Sequence, residues 1–544
     1  MRILVALLLV STLFSVNSAG TFRSLGQLAP PPFSIDEISD YSDVVAMLKG
    51  GKNGSSFFNQ LLDHQDPGSG TFQMKYWWNA EFWGGPGSPV VLFTPGESAA
   101  GDYTGYLTNH TLMGSFAKEI KGAVVMVERE LIDRYWGESS PFADLTTKNL
   151  RFLTLNQSIS DLTHFAKTVE LPFDTTNSSN AGNAPWILTG GSYAGALAAW
   201  TSSTAPGTFW AYHASSAPVE AISDYNCLSK ELTSSDKKQW QYFVPIQDGM
   251  PKNCSKDISR VIDFLDDLMI HGNKSDKYAM KERFGLESVE HDDDFMSVLQ
   301  NGPWSWQMNS FTTGYSDFYK FCDAIENVQV GSDITPDENG VGLEKALSGY
   351  ANCQDYGYSD SLETACMDTY NASNLIYTDH TVNNPADRQW TWMLCNEPFS
   401  YWQDGAPQTR PTLVSRLVTS DYWQRQCPLY FPLEDDNSFR PRQTVDDVNK
   451  YTKGWDLTDA RRLLWINGQY DPWKTSGMSS EFRPDGPFQG NTEQPILVIP
   501  DGIHCSDLRI SNAEANAGVK KVVENEIKQI STWIAEYYTQ KELV

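Results

Sequence analysis

Short apolar runs recur in the first and last parts of the chain and alternate with amphipathic stretches. Continuous apolar runs are expected of strands that are buried on both faces of a sheet. Helical patterns lie between the runs, at Gln157–Val169 and Tyr193–Ser202. Strands that alternate with helices predict an α/β fold with a mostly parallel sheet. The predicted strands are Pro89–Thr94, Gly122–Glu128, Trp186–Thr189, Phe209–Ala214, Arg462–Asn467 and Pro495–Pro500.

The last part of the chain has a helical rather than a strand pattern. Apolar residues recur there at spacings of three and four, which predicts an amphipathic helix that packs one face on the sheet. The residues of that face are Val519, Val523, Ile527, Ile530, Ile534 and Tyr537.

The middle of the chain, from about Asn226 to Pro428, differs in composition. It is rich in Trp, Tyr, Asp and Asn, holds most of the cysteines and has few buried-strand runs. We predict that it is an inserted, largely helical cap tied by disulfides. The predicted organisation is a signal peptide at 1–19, an arm or pro-segment at 20–55, core at 56–225, cap at 226–428 and core at 429–544.

The first residues resemble a secretory leader. Arg2 precedes the apolar run Ile3–Val10, and small residues near Ala19 offer a cleavage site. The run is too short for a membrane anchor. In the oxidising compartment that secretion implies, the eight cysteines are predicted to form disulfides, whose connectivity the sequence leaves open. Seven Asn-x-Ser/Thr sequons fit the same compartment: Asn53, Asn109, Asn156, Asn177, Asn253, Asn273 and Asn371.

Charge narrows the range of partners. The chain has 41 basic and 68 acidic side chains and a net charge of −27. Such a surface repels phosphate backbones and anionic lipids, which disfavours nucleic acid and membranes as partners. His291 precedes an acidic run, but no further ligands recur at metal spacing. No metal and no cofactor are therefore predicted.

The most informative segment runs from Trp186 to Trp200. An apolar strand ends at Thr189, small residues crowd the turn around Ser192, and a helical pattern follows at once. A nucleophile elbow needs this arrangement, because the strained turn exposes the serine hydroxyl above the sheet. Ala194 stands where the last glycine of G-x-S-x-G would be, and an ordinary strand–helix loop is the alternative.

Two further residues follow in the order of a Ser-Asp-His hydrolase triad. Asp471 comes just after the strand Arg462–Asn467, and His504 just after Pro495–Pro500. Asp501 and Asp507 are rivals to Asp471, but residues so near His504 in sequence rarely reach its far ring nitrogen. We therefore predict Ser192 as nucleophile, His504 as general base and Asp471 as the group that orients the base.

The turns that follow two of the predicted strands also predict an oxyanion hole. The backbone N–H of Tyr193 is one predicted donor, since it opens the helix after Ser192. The second is predicted in the loop after Pro89–Thr94, from Gly96 or Glu97.

These motifs resemble the S28 serine peptidase family, which includes lysosomal Pro-X carboxypeptidase, dipeptidyl peptidase II and fungal acid prolyl endopeptidases. The resemblance spans about Phe57 to Tyr538 and looks closest to the secreted fungal prolyl endopeptidases. The motifs that carry it are Gln60–His64 with Thr71-Phe72, Gly190–Gly195, Asn467–Trp473 and His504–Leu508.

The resemblance implies an α/β-hydrolase core with a cap and an enzyme that cleaves peptides after proline at acidic pH. By analogy Trp473 lines the proline pocket, and Trp390 and Trp392 are weaker candidates. Acidic activity would require the pKa of His504 to lie below that of free histidine, and we expect burial under the cap to lower it.

The sequence departs from the family pattern at Glu128–Gly137 and at Asn226–Gln239. Three alternatives therefore stay open at this point: a serine carboxypeptidase, which normally has Glu where Gly191 stands; a Pro-X exopeptidase; and a hydrolase-fold binding protein without catalysis.

Overall fold

The six predicted strands are neighbours in one sheet with helices on both faces. The computed structural model describes residues 30–33, 52–96, 100–128, 135, 139–223, 239–328, 336–352, 367–382, 384, 387–432 and 443–543. The predicted leader and most of the segments 128–137 and 226–239 lie outside these residues.

The sheet has eight strands in the order β1-β2-β4-β3-β5-β6-β7-β8. β1 and β2 form an antiparallel hairpin, β2 pairs antiparallel with β4, and the other neighbours run parallel. This mostly parallel sheet is the core of an α/β-hydrolase fold, as predicted. The strands are β1 Asn53–Leu61, β2 Thr71–Asn79, β3 Val90–Thr94, β4 Ala123–Val127, β5 Trp186–Gly191, β6 Ala211–Ser215, β7 Leu463–Gly468 and β8 Ile496–Ile499.

The first hairpin is absent from the sequence prediction. β1 begins at Asn53, inside the predicted N-terminal arm. β1 alternates partly buried and exposed positions, and β2 alternates buried and more exposed positions, as antiparallel strands with one solvated face do. The apolar runs that predicted the other six strands are therefore missing here.

Helices cover both faces of the sheet. Those of the core are α1 Leu112–Ile120, α2 Thr147–Leu150, α3 Leu155–Thr168, α4 Tyr193–Thr204, α16 Val445–Thr452, α17 Ile510–Ala515 and α18 Ala517–Glu542, with 3₁₀ turns at Pro67–Ser69, Ala100–Leu107, Gly454–Asp456 and Pro472–Ser476. Successive residues of β3 point to opposite faces: Val90 and Leu92 pack on the side of α3 and α4, and Val91 and Phe93 on the side of α1 and α18.

The residues between β6 and β7 include a run of helices, most of them short. These are α5 Phe243–Gly249, α6 Lys252–His271, α7 Lys274–Arg283, α8 Asp292–Val298, α9 Asn301–Trp304, α10 Asp317–Ile325, α11 Leu343–Ala351, α12 Leu375–Thr378, α13 Arg388–Asn396, α14 Ser420–Gln424 and α15 Cys427–Tyr430, with 3₁₀ turns at Gln239–Tyr242 and Ser305–Met308. No helix in the described part of the chain is long and apolar enough to cross a bilayer.

Two disulfides tie these helices together. Cys254 of α6 pairs with Cys322 of α10, and Cys395 of α13 pairs with Cys427 of α15. Cys505 differs from the prediction, since its thiol is free and buried. It follows His504 directly in the sequence. The other three cysteines lie outside the described residues.

Candidate active site

Ser192 occupies a strained turn between β5 and α4. Its φ of 60° and ψ of −128° lie in a region that residues with a side chain rarely adopt. The turn is held from below, because the Ser192 N–H donates to the Ser215 carbonyl at the end of β6 at 2.8 Å. Glycine is required on both sides of the turn. A Cβ on Gly190 would lie 2.5 Å from the Ala194 backbone, and one on Gly195 would lie 2.7 Å from the Ser215 oxygen.

The structure brings Ser192, His504 and Asp471 together in one line of hydrogen bonds. His504 Nε2 lies 2.9 Å from Ser192 Oγ, and its Nδ1 lies 3.0 Å from Asp471 Oδ1. All three side chains are buried. Asp471 Oδ1 also accepts from the Trp473 N–H at 3.0 Å, which fixes the carboxylate at the start of a 3₁₀ turn.

The rivals of Asp471 lie elsewhere. The side chain of Asp501 is exposed, and its backbone N–H donates to Gln469 Oε1. Asp507 is buried but bonds Ser215 Oγ at 2.6 Å.

The pKa of His504 differs from the sequence expectation. Burial lowers it, but Cys505 and Asp471 together outweigh burial and raise the pKa well above its ordinary value of 6.5. The Asp471 carboxylate acts both through its charge and through its hydrogen bond with the ring. The prediction that burial prevails and lowers the pKa of His504 is therefore wrong.

Two of the predicted oxyanion donors, Tyr193 and Gly96, lie at the same edge of the sheet as Ser192. Tyr193 is the first residue of α4, so its N–H belongs to the helix N-terminus. Thr94, the last residue of β3, pairs with Gly190, which puts Gly96 beside the turn; Gly96 has a φ of +100°. Glu97 lies outside the described residues.

The three predicted tryptophans have different surroundings. Trp473 is buried beside Asp471, and Trp390 packs edge-on against the Tyr193 ring at 5.6 Å. Trp392 instead donates its indole N–H to the Leu153 carbonyl and packs on Phe431 at 5.0 Å. Its contacts are those of a core residue rather than of a site residue.

Sequence reasoning missed the residues that surround Trp473. Tyr242 and Tyr401 meet its indole edge-on at 4.9 Å and 5.6 Å, and Gln307 Oε1 accepts from its Nε1 at 2.8 Å. These residues lie on separate segments of the chain, so no local motif links them to Asp471. Together they enclose Trp473 in an aromatic cluster next to the line of hydrogen bonds.

Gly191 faces the loop that carries His504. A Cβ there would lie 2.7 Å from Leu508 Cδ1 and 2.9 Å from Cys505 Sγ. A glutamate at this position, as in the serine carboxypeptidase alternative, would therefore require the side chains of Leu508 and Cys505 to shift.

Comparison with known proteins identifies the family of the chain. The family model described as serine carboxypeptidase S28 matches residues 60–525. The chain is 41% identical to serine protease vicPa of Bipolaris victoriae, over 90% of each chain. It is 28% identical to a probable extracellular serine carboxypeptidase of Arthroderma benhamiae, over 80% of this chain and 59% of that one. It is 23% identical to lysosomal Pro-X carboxypeptidase of Pongo abelii, over 95% and 93%. The chain therefore belongs to the S28 family of serine peptidases.

Proposed function

We propose that this S28 peptidase hydrolyses peptide bonds on the C-terminal side of proline, with Ser192 as nucleophile, His504 as general base and Asp471 as the residue that orients His504. The observation that carries the proposal is the line of contacts from Ser192 Oγ through the two ring nitrogens of His504 to Asp471. This geometry matches the roles that acyl transfer requires.

In the proposed reaction, Ser192 Oγ attacks the carbonyl carbon while His504 Nε2 takes its proton. The oxyanion that forms is stabilised by the N–H groups of Tyr193 and Gly96 or Glu97. Collapse breaks the C–N bond, and His504 returns the proton to the departing amine. Water then attacks the acyl ester while His504 takes a proton from it, and the ester C–O bond breaks as His504 returns that proton to Ser192 Oγ.

The aromatic cluster around Trp473 supports the choice of proline. Tyr401 donates its hydroxyl to the Pro218 carbonyl at 2.6 Å, and Tyr242 donates its own to Gln307. With their polar ends satisfied, the rings present apolar faces and edges near Asp471. A flat pyrrolidine ring gains from such walls. The resemblance to a relative named for Pro-X cleavage points the same way.

A digest of a mixed peptide library tests this specificity. We expect cleavage after proline to dominate in the mass spectrum. Trp473→Phe keeps an aromatic ring but removes the N–H that donates to Gln307, so we expect it to lower kcat/KM for proline substrates more than for others. Trp473→Ala is less informative, since truncating a buried tryptophan costs about 3–5 kcal/mol of stability.

Trp392→Phe is the matched control, because it also removes a buried indole N–H bond, here to Leu153. We expect it to leave the preference for proline unchanged. A wild-type digest without enrichment of proline before the cut, or a Trp473→Phe variant with full selectivity, would contradict the proposed specificity.

The pKa of His504 predicts the acid side of the pH profile. The base must be neutral to accept the serine proton, and a raised pKa keeps it protonated to higher pH. We therefore expect kcat/KM to fall about tenfold per pH unit below a midpoint above 6.5. For this reason an acidic working pH, which the resemblance implies, is not part of the proposal. A midpoint below 6.5 in the measured profile would mean that burial of His504 prevails after all.

We also propose that the protein is secreted. The predicted N-terminal leader is the main support, and a relative that matches 80% of the chain is named as probably extracellular. None of the seven sequon asparagines is buried, which suits glycosylation.

A further inference from the structure

Beneath the line of Ser192, His504 and Asp471 lies a second group of titratable side chains. His213 of β6, Asp507 of the loop after His504, and Glu526 of α18 are all fully buried. His213 Nε2 lies 3.2 Å from Glu526 Oε1 and 3.6 Å from Asp507 Oδ2, and one ligand-type atom from each residue lies within 4.8 Å of the others. We call these three residues the acid cluster.

The acid cluster is joined to the active-site backbone by short contacts. Ser215 Oγ donates to Asp507 Oδ1 at 2.6 Å, and the carbonyl of the same serine accepts from the Ser192 N–H. Next along the chain, Ser216 Oγ accepts from the Cys505 N–H at 2.8 Å. Asp507 thus connects the end of β6, which holds the nucleophile turn, to the loop that carries His504.

Two buried carboxylates side by side need either a cation or a proton. In the described part of the chain, neither Asp507 nor Glu526 forms an ion pair with lysine or arginine; their one basic partner is His213. Asp507 Oδ2 and Glu526 Oε2 have no hydrogen-bond donor among the described residues. Because like charges so close in a buried site repel strongly, the pair is far more stable when one oxygen carries a proton and donates it to the other.

We propose that Asp507 and Glu526 share at least one proton, and that this protonated pair positions the Ser192 turn and the His504 loop for catalysis. Asp507 and Glu526 are positioning residues, since they act through Ser215 and the backbone rather than on substrate. The inference rests on the proposed roles of Ser192 and His504.

The titration directions agree with the geometry. Burial, with the neighbouring Glu526, raises the pKa of Asp507 to about 7, and burial raises the pKa of Glu526 to about 8. Burial lowers the pKa of His213 to about 4, so its ring is neutral near pH 6. Two further groups interact with Asp507: Cys505 and Tyr106, whose pKa values burial raises.

The sign of the pH effect follows from these directions. The stabilisation by the two carboxyls is fully present below their ordinary pKa values of 3.8 and 4.5, and is lost as pH rises through about 7 and 8. His213 acts in the opposite direction, because its contribution to stability is lost when pH falls from 6.5 towards 4. The two carboxyls outnumber the one histidine, so the acid cluster as a whole stabilises the fold more at acidic than at alkaline pH.

Amide variants test the proposal, because an amide keeps the shape of a protonated carboxyl but cannot lose its proton. Thermal unfolding and kcat are measured from pH 5 to pH 9 for the wild type, Glu526→Gln, Asp507→Asn and Asp507→Ala. We expect both amide variants to keep most of the wild-type kcat at pH 6 and to lose less stability than the wild type above pH 7. Asp507→Ala removes the Ser215 contact, so we expect its kcat to fall about tenfold or more.

Glu326→Gln is the matched control. Glu326 also has a pKa raised to about 7, by burial and by Asp257 and Asp323, but it lies in the region between β6 and β7, where Asn253 donates to it. We expect this variant to flatten the stability curve at alkaline pH and to leave the pH dependence of kcat unchanged.

Three results would overturn the proposal. One is a Glu526→Gln variant with the same pH dependence of unfolding and kcat as the wild type. Another is an Asp507→Asn variant as inactive as Asp507→Ala, which would mean that the charge is required. The third is a stoichiometric metal ion in the purified protein that Glu526→Gln loses. If Asp507→Ala fails to fold, the two amide variants carry the test. Thermal unfolding can be measured on a protein without activity. A wild type that hydrolyses no peptide would therefore contradict the proposed function, but not the shared proton.

Discussion

Replacing Ser192 with Ala is expected to lower kcat/KM by about 10⁴-fold or more, since loss of a nucleophile costs orders of magnitude in enzymes of this chemistry. The fold should survive. The Oγ of Ser192 contacts His504, whereas the hydrogen bonds that hold the turn use its backbone N–H and carbonyl. The measurement is hydrolysis of a proline-containing peptide by purified wild type and variant, with thermal unfolding to check the fold.

Ser202→Ala is the matched control for Ser192→Ala. Ser202 is another buried serine of α4, and its hydroxyl donates to the Ala199 carbonyl of the same helix. We expect this variant to retain nearly wild-type kcat/KM. Residual activity of Ser192→Ala above about one per cent of wild type would exclude Ser192 as the nucleophile, given the usual cost of its loss.

The second large effect is expected for Asp471→Asn, with a loss in kcat of about 10⁴-fold. The asparagine side chain fits the same space. When its amide nitrogen takes the place of Oδ1, it donates to His504 Nδ1, which puts the ring proton on Nε2, the atom that must receive the proton of Ser192. The Trp473 N–H then loses its acceptor, because it donates to the same Oδ1 in the wild type. The variant should keep the fold and fail in the chemical step.

Asp501→Asn is the control for that variant, since Asp501 is an exposed carboxylate three residues before His504. Its kcat should stay close to that of wild type. Steady-state and single-turnover kinetics separate binding from chemistry. If Asp471→Asn kept more than about a tenth of wild-type kcat, Asp471 would not set the tautomer of His504.

Local sequence patterns predicted six of the eight strands and the three hydrogen-bonded residues Ser192, His504 and Asp471. β3 to β7 are buried on both faces, β8 is an apolar run at the edge of the sheet, and Ser192, Asp471 and His504 each follow one of these strands closely. In a parallel sheet the carboxyl ends of the strands meet at one edge, so the order of these residues along the chain was sufficient. The β1–β2 hairpin has one solvated face and carries no such run.

The surroundings of the site depend on contacts between distant segments. Gln307 and Trp473 are 166 residues apart, and Glu526 reaches His213 across 313 residues. Glu526 even lies on the apolar face of α18, between Val523 and Ile530, where the helical pattern predicts apolar residues. The pKa of His504 was mispredicted for the same reason, since the balance between burial and its neighbours depends on distances that the sequence does not contain.

The most direct test of Ser192 as an activated nucleophile is labelling with a fluorophosphonate, followed by mass spectrometry of the digested protein. Such a reagent bonds to a serine whose proton a neighbouring base removes. We predict one label per chain, on the peptide that contains Ser192, and almost no label in His504→Ala. An unlabelled wild type, a label on another residue, or full labelling of His504→Ala would contradict the account.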